Sequence, residues 1–243
     1  MSTGELGNRL TYFESIHRQI SDERLDRYVS AAGQGSSIGR LSHIGDESLA
    51  TILDEFNISD GSRVLDLGSG RGFLARWFQW RKMNVDYTGL DSSPTAIAAA
   101  RRAAPRARFI LHDFLRPIEL GEFDMVCAIE ATGDGYVTER VAATMLKYLK
   151  PSGVALATIV SLKRPYGEAV GKSIGAFAAS GGKSRAIDLT AEHTEYVSRL
   201  CRLVLEDESG PDDLRRRSHE ECSTFLESIR AGTYGYGIIA ATK

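Results

Sequence analysis

Acidic side chains accompany four successive apolar runs of this sequence. Asp66 lies inside the first run, and Asp91, Asp113 and Glu130 stand at or directly after the ends of the next three. One acid in such a place is unremarkable, but solvated surface alone does not require a carboxylate at all four. Because ligands of an open α/β sheet bind outside the carboxyl ends of its strands, we expect these four side chains to form one ligand site.

Three glycines, Gly68, Gly70 and Gly72, directly follow the first apolar run. Glycine adopts positive φ without strain and lets the backbone approach a ligand with no Cβ in the way. A helix that begins after such a loop points its free N–H groups at the same ligand. The spacing indicates a ligand-binding turn between a strand and a helix.

The acids predict contacts with a ligand that contains a nucleoside. Asp91 lies about twenty residues past the loop, where a carboxylate can accept both hydroxyls of a ribose. Asp113 can accept from an adenine amino group, with Phe114 beside it as an apolar wall. Asp66 can orient the loop or bind an ammonium of the ligand through water.

A nicotinamide dinucleotide is an alternative ligand. Its loop has the spacing G-x-G-x-x-G, whereas the glycines here follow G-x-G-x-G and position 73 is Phe. The third glycine of a dinucleotide loop allows close packing of helix on strand, which Phe73 would obstruct. The loop alone leaves both ligands open. The loop together with Asp91, Asp113 and Glu130 favours a cationic cofactor. The acidic Asp66 inside the strand also suits a cationic ligand better than it suits a negatively charged pyrophosphate.

Alternating strands and helices must position these residues. Apolar periodicity predicts helices over 46–56, 73–83, 94–103, 138–149, 192–200 and 212–229. It predicts strands over 62–67, 85–90, 108–112, 123–129, 154–160, 202–206 and 236–241. Ser93 before Pro94 is a strong helix start, Asp46 is a candidate cap, and Trp77 and Trp80 are predicted to pack in the core. We therefore predict an α/β fold with a doubly wound, mostly parallel sheet and helices on both faces.

The length and composition predict a single domain. The chain has 243 residues, of which 42% are hydrophobic, enough for one sizeable core. We expect an N-terminal helical cap over 1–45, a cofactor-binding core over 46–160, a lid insertion over 161–188 and a closing part of the core over 189–243. The formal net charge of −2 offers no broad field for a nucleic acid.

The three cysteines are not closely spaced, so neither a disulfide framework nor a metal site is expected. No stretch approaches the roughly 20 apolar residues of a membrane helix, and the first residues do not form a signal peptide. We therefore expect a cytoplasmic protein with no membrane partner, and the sequence is compatible with a homodimer.

Four segments resemble successive motifs of the class I S-adenosylmethionine-dependent methyltransferases. They are VLDLGSGRG at 64–72, TGLDSSP at 88–94, HDF at 112–114 and LKPSG at 149–153. The resemblance implies a Rossmann-like sheet of seven strands with the last one antiparallel. It implies S-adenosyl-L-methionine as the cofactor, with its methionine part over Gly68–Gly70, its ribose on Asp91 and its adenine near Asp113 and Phe114. Ser69 and Ser92 are further predicted cofactor contacts.

AIEAT at 128–132 resembles the segment after the fourth strand of sterol and related carbon methyltransferases. In those enzymes the acid lies near the transferred methyl group, which implies that Glu130 is a general base or a ligand of the methionine ammonium. The sequence departs from that pattern at 133–136, where GDGY replaces a continuation that contains histidine and proline. The signature of nucleic-acid base methyltransferases, an Asn or Asp followed by Pro-Pro and an aromatic residue, is absent.

The acceptor pocket is predicted from residues 8–45 and 161–188, because specificity usually lies in loops and caps over a rigid sheet. The candidate acceptor contacts are Tyr12, Tyr28, His43, Tyr136 and Tyr166. The residues expected to face solvent are His17, His193 and His219. The sequence thus predicts methyl transfer to a small, partly apolar metabolite of secondary metabolism, with carbon or nitrogen favoured over oxygen. A regulatory protein that binds the cofactor without methyl transfer, and a nicotinamide dehydrogenase, are the alternatives.

Overall fold

The computed structural model describes residues 44–132, 135–207 and 212–243, without the side chains of 212–214 and 217. The strands are β1 Arg63–Leu67, β2 Asp86–Asp91, β3 Arg108–Leu111, β4 Phe123–Ala128, β5 Leu149–Ser161, β6 Lys183–Asp188 and β7 Gly235–Thr242. The helices of the described residues are α1 Asp46–Glu55, α2 Phe73–Trp80, α3 Pro94–Ala103, α4 Glu139–Tyr148, α5 Tyr166–Ala179, α6 Thr190–Glu206 and α7 Asp212–Arg230.

Seven strands of the described residues form one sheet in the order β3-β2-β1-β4-β5-β7-β6. The strands β1 to β5 are parallel to one another, and β7 runs antiparallel to both β5 and β6. The predicted fold class, including the antiparallel last strand, is confirmed. The chain leaves β1 towards β2 on one side and later returns on the other side as β4, so the strand order reverses at β1.

Two apolar layers cover the sheet. One layer packs Leu49 of α1, Trp77 of α2 and Ile97 of α3 against it. The other packs Met145 of α4 and Phe177 of α5 on the opposite face. This burial holds the carboxyl ends of β1 to β4 in fixed relative positions. No helix in the described part of the chain is long and apolar enough to cross a membrane.

The sixth strand differs from its prediction. Residues 161–188, predicted as a lid, contribute helix α5 and strand β6 to the core, and Phe177 is fully buried. The strand predicted over 202–206 is instead the last part of helix α6. β6 is an edge strand with no fully buried residue, so its apolar signal is weak. Residues 202–206 extend a helix whose buried face is already set by the residues before them.

Two smaller predictions about the helices are also wrong. Asp46 does not cap α1 with its side chain; its buried carboxylate accepts a hydrogen bond from Trp77 Nε1 over 3.2 Å. Trp77 is buried as predicted, whereas Trp80, at the end of α2, is 48% exposed. The cap at Ser93 is confirmed, since its Oγ accepts from the N–H of Ala96 over 3.0 Å.

Candidate functional site

The glycine loop crosses the carboxyl end of β1. Gly68, Gly70 and Gly72 have φ values of +80°, +52° and +76°, which residues with a Cβ rarely adopt. The N–H groups of Gly68 and Ser69 donate to the carbonyl of Leu90, which ties the loop to the end of β2. The predicted turn between strand and helix is confirmed, and α2 begins at Phe73 directly after it.

The backbone at Gly68 is too close to the next loop for any larger residue. A Cβ at this position would lie 2.5 Å from Ala131 Cβ, in the segment that follows β4. Gly72 is similarly restricted, since a Cβ there would lie 2.9 Å from Phe109 Cζ and 3.1 Å from Ala100 Cβ. The loop and the segment after β4 therefore form a backbone cradle at the reversal of strand order, which fits a nucleoside cofactor.

Asp91 joins this cradle to β2. Its Oδ2 accepts from the N–H of Gly70, and its Oδ1 accepts from the N–H of Ser93, each over 2.8 Å. A carboxylate has about four lone-pair directions, so these two bonds leave capacity for ligand hydroxyls. Ser92 is exposed next to it at the same sheet edge.

Asp113 and Phe114 follow β3 at the same edge. Asp113 Oδ1 accepts from the N–H of Leu115 over 3.0 Å, and its Oδ2 lies 3.5 Å from Arg116 Nε. The Phe114 ring lies beside the glycine loop, with its Cε1 3.8 Å from the position that a Gly68 Cβ would take. The structure therefore brings the predicted adenine contacts next to the predicted methionine contacts.

Asp66 lies beneath the loop rather than above it. Its carboxylate accepts from the Tyr87 hydroxyl over 2.5 Å, and the Cys127 thiol lies 3.5 Å from its other oxygen. Burial raises the pKa of Asp66 to about 6, although the hydrogen bonds from Tyr87 and Cys127 act in the opposite direction. These contacts tie β1 to β2 and β4, which favours the predicted role of orienting the loop over direct contact with a ligand.

Glu130 follows β4 in a left-handed backbone conformation with φ of +55°. Its N–H donates to Thr158 Oγ1 of β5 over 2.5 Å. Its carboxylate Oε1 accepts from the hydroxyl of Tyr236 of β7 over 2.9 Å. The side chain is thus held from the β5 and β7 side of β4, whereas the glycine loop lies on the β1 side.

Tyr236 and His193 adjoin the candidate residue Glu130 and were not among the predicted site residues. The Tyr236 ring stacks on the His193 ring with 3.7 Å between centroids and an interplanar angle of 16°. His193, predicted to face solvent, is only 3% exposed, and its Nδ1 is hydrogen-bonded to the hydroxyl of Tyr234. The helical spacing of His193, Tyr196, Val197 and Cys201 is the sequence signal that could have identified this buried face.

The predicted acceptor contacts fall in three places. The ring of Tyr136 lies 5.4 Å from the Arg164 guanidinium and 5.1 Å from the Lys172 ammonium. The ring of Tyr166 lies directly on the backbone of β7, where only the absence of a Cβ at Gly235 and Gly237 leaves room for it. Tyr12, Tyr28 and His43 lie outside the described residues, as does His17. His219 is half-buried, with Nε2 3.2 Å from the carbonyl of Val204.

Two further features lie apart from these residues. An open groove runs along one face of α7 between Arg215 and Glu227, and none of the predicted site residues lines it. Among the described residues, no group of three or more His, Cys, Asp or Glu side chains could hold a metal ion.

Comparison with known proteins shows similarity to methyltransferases that act on different acceptors. Residues 64–153 match a family model described as a methyltransferase domain. Over 139 residues the chain is 30% identical to ribosomal RNA small subunit methyltransferase C of Alcanivorax borkumensis, covering 54% of this chain and 41% of that protein. Over 110 residues it is 33% identical to sterol 24-C-methyltransferase of Debaryomyces hansenii, covering 42% of this chain and 29% of that protein. The aligned part spans less than half the length of these curated relatives.

A solved structure shows the same fold. Phosphoethanolamine N-methyltransferase 2 of Haemonchus contortus, in complex with S-adenosyl-L-methionine, has a TM-score of 0.71 and 19% sequence identity. The match covers 92% of this chain and 57% of that one. The match at 64–153 includes the glycine loop, Asp91, Asp113 and Glu130, and the fold agrees over most of the chain. Residues 64–153 therefore form a methyltransferase domain, and the described part of the chain has the fold of that solved structure.

Proposed function

We propose that this chain binds S-adenosyl-L-methionine over the glycine loop and transfers its methyl group to a small, partly apolar metabolite. The observation that carries the proposal is the backbone cradle, in which Gly68 approaches Ala131 too closely for any side chain and Asp91 holds Gly70. Left-handed glycines at the carboxyl end of β1, before the start of a helix and beside the Asp91 carboxylate, support the proposal because this arrangement lets a ligand lie against the backbone.

Each part of the cradle has a task in binding. Gly68, Ser69 and Gly70 would hold the methionine part, and Asp91 with Ser92 would hold the ribose. The carboxylate of Asp113 would accept from the adenine amino group, and Phe114 would cover the ring. Asp66 would keep the loop in place from below, through Tyr87 and Cys127.

When it is bound, S-adenosyl-L-methionine supplies a methyl group that is activated by attachment to a sulfonium. The chain would place the acceptor so that its electron pair could form the bond to the methyl carbon as the carbon–sulfur bond broke and left its pair on sulfur. The chain contributes orientation and exclusion of water. An acceptor that must lose a proton needs a base, and we assign this role to the carboxylate of Glu130.

Charge supports a small acceptor over RNA. The formal net charge is −2, and two cations near Tyr136, Arg164 and Lys172, both pair with Glu168. The names of the relatives do not decide between acceptors, since they include a ribosomal RNA enzyme and a sterol enzyme. We favour carbon or nitrogen as the methylated atom because the AIEAT segment resembles carbon methyltransferases and carries Glu130.

The sheet argues against the dinucleotide alternative. A dinucleotide-binding fold orders its strands 3-2-1-4-5-6, whereas here the antiparallel β7 lies between β5 and β6. The glycine spacing is less decisive than the sequence suggested. Gly72 packs against Phe109 and Ala100, which is the close packing that the third glycine of a dinucleotide loop provides.

The direct test uses cofactor that carries tritium in its methyl group. The protein is incubated with this cofactor and either a small-molecule metabolite extract or total RNA. We expect label in a small-molecule product and none in RNA, and we expect Glu130→Gln to reduce the rate far more than cofactor affinity. Label in RNA would refute the acceptor class. Cofactor binding without any labelled product would favour a regulatory protein.

A further inference from the structure

We infer that Tyr236 is a positioning residue that holds the Glu130 carboxylate on the acceptor side of the cofactor, facing the transferred methyl group rather than the methionine ammonium. The inference rests on the proposed function, because it assigns a direction to a side chain of the same site. It decides between the two roles that the sequence left open for Glu130.

The backbone of Glu130 fixes where its side chain begins. A residue with a Cβ rarely adopts a φ of +55°, and such strain persists only where the surrounding structure over-determines it. Here the N–H of Glu130 donates to Thr158 Oγ1, and Thr158 is buried in β5. The next residue, Ala131, packs against Gly68 of the glycine loop. Glu130 therefore leaves the chain at a fixed point between the cofactor cradle and β5.

Tyr236 fixes where the side chain ends. Its ring is 1% exposed and stacks on His193, which is 3% exposed. His193 is in turn hydrogen-bonded to Tyr234 and lies edge-on to Tyr196 at 6.0 Å. A ring enclosed in this way cannot swing, so its hydroxyl is presented to Glu130 Oε1 from one direction, at 2.9 Å.

This direction points away from the methionine part of the site. In the sheet, β4 lies between β1, which carries the glycine loop, and β5, which β7 follows. The hydrogen bond from Tyr236 holds Glu130 Oε1 on the β7 side of β4, opposite to the side on which Gly68–Gly70 lie. The pKa of Tyr234 is raised by burial and by the nearby charge of Glu130, which agrees with a carboxylate on the β7 side.

Two cofactor analogues test this direction without any acceptor. Sinefungin carries a protonated amine in the place of the transferred methyl group, whereas S-adenosylhomocysteine carries nothing there. A carboxylate that faces the methyl position should strengthen the binding of sinefungin alone. We therefore compare the ratio of the two dissociation constants, measured by isothermal titration calorimetry, in the wild type and in variants.

We expect Tyr236→Phe and Glu130→Gln each to lower the preference for sinefungin at least fivefold, with S-adenosylhomocysteine affinity kept within twofold. Tyr236→Phe should add nothing in the Glu130→Gln background, because it acts through that carboxylate. The matched control is Tyr148→Phe, since the buried Tyr148 donates its hydroxyl to the carbonyl of Ile118. This control should leave the ratio unchanged.

Equal weakening of both analogues, or an unchanged ratio in Tyr236→Phe, would overturn the inference while the proposed function stands. If Tyr236→Phe fails to fold, Glu130→Gln alone tests the direction. An unchanged preference for sinefungin over S-adenosylhomocysteine in Glu130→Gln would overturn the inference, and a lowered preference would support the assigned direction. A wild type that binds neither analogue would instead overturn the proposed function itself.

Discussion

The carboxylate of Asp91 and the backbone N–H of Gly70 are joined by a hydrogen bond of 2.8 Å. The acid at the end of β2 therefore holds the glycine loop at the end of β1, in addition to the ribose contact that we propose for it. Its other oxygen accepts from Ser93, the cap of α3. One side chain thus couples two loops of the cradle, so that loop geometry and cofactor binding depend on the same residue.

Asp66→Asn is expected to stabilise the fold at alkaline pH. Burial raises the pKa of Asp66 from 3.8 to about 6, so the folded state binds this proton more tightly than the unfolded chain does. The stability from this group is complete below pH 3.8 and is lost as the pH rises through about 6. At pH 8 the buried charge costs at most about 3 kcal/mol, which asparagine would avoid.

The measurement is urea unfolding of Asp66→Asn and the wild type at pH 4.5 and pH 8. The gain in the free energy of unfolding should be larger at pH 8. Asp86→Asn is the control. Asp86 is the first residue of β2, the strand next to β1, and it is exposed and pairs with Arg63. A gain of equal size at both pH values would show that the charge of Asp66 is not the cause.

Gly68→Ala is expected to reduce cofactor affinity at least tenfold. The substitution introduces both backbone strain at φ of +80° and a Cβ 2.5 Å from Ala131 Cβ. Gly61→Ala is the matched control, since Gly61 has a φ of +83° and open space around its Cβ position. It should lower the free energy of unfolding by about 1 kcal/mol from the same strain and leave affinity unchanged.

Ala131→Gly in the Gly68→Ala background separates the two effects. Removing the Ala131 methyl group relieves the overlap but not the strain, so we expect part of the affinity to return. Calorimetric titration with S-adenosylhomocysteine measures it. No recovery at all would mean that the overlap with the segment after β4 does not limit binding.

Thr158→Val is expected to lower the methyl-transfer rate and to destabilise the protein by about 1–3 kcal/mol. The substitution keeps the shape of the side chain but leaves the N–H of Glu130 without its acceptor. Thr158→Ser retains the hydroxyl, so it should keep more of the methyl-transfer rate and more of the stability than Thr158→Val does. Urea unfolding and transfer of labelled methyl groups measure them. If Thr158→Val and Thr158→Ser behave alike, the backbone of Glu130 does not depend on this hydrogen bond.

The placement of the residues that we propose for cofactor binding could be predicted because its signals are local in sequence. The glycines follow β1 directly, and Asp91, Asp113 and Glu130 stand at strand ends. Parallel strands then bring them to one edge with no further information, as the sheet order confirms. The helix cap at Ser93 could be predicted for the same reason, because its side chain accepts from the N–H of Ala96, only three residues further along the chain.

The surroundings of Glu130 on the β5 and β7 side depend on contacts between segments that are distant in sequence. Tyr236 meets Glu130 only after β7 has inserted antiparallel beside β5, and His193 is buried only because α6 packs on that strand. The edge strand β6 has the few apolar residues Ala186 and Ile187 and acquires its place by pairing with β7. None of these pairings can be read from periodicity within a single segment.

The central claim is that the cradle at Gly68, Gly70 and Asp91 binds S-adenosyl-L-methionine, and calorimetric titration of the wild type and of Asp91→Ala tests it most directly. We predict saturable binding of S-adenosyl-L-methionine to the wild type, no binding of nicotinamide dinucleotides, and at least tenfold weaker binding to Asp91→Ala. Asp86→Ala, on the same strand but at its exposed start, should bind as the wild type does. Binding of a dinucleotide instead, or equal affinity in Asp91→Ala, would contradict the account.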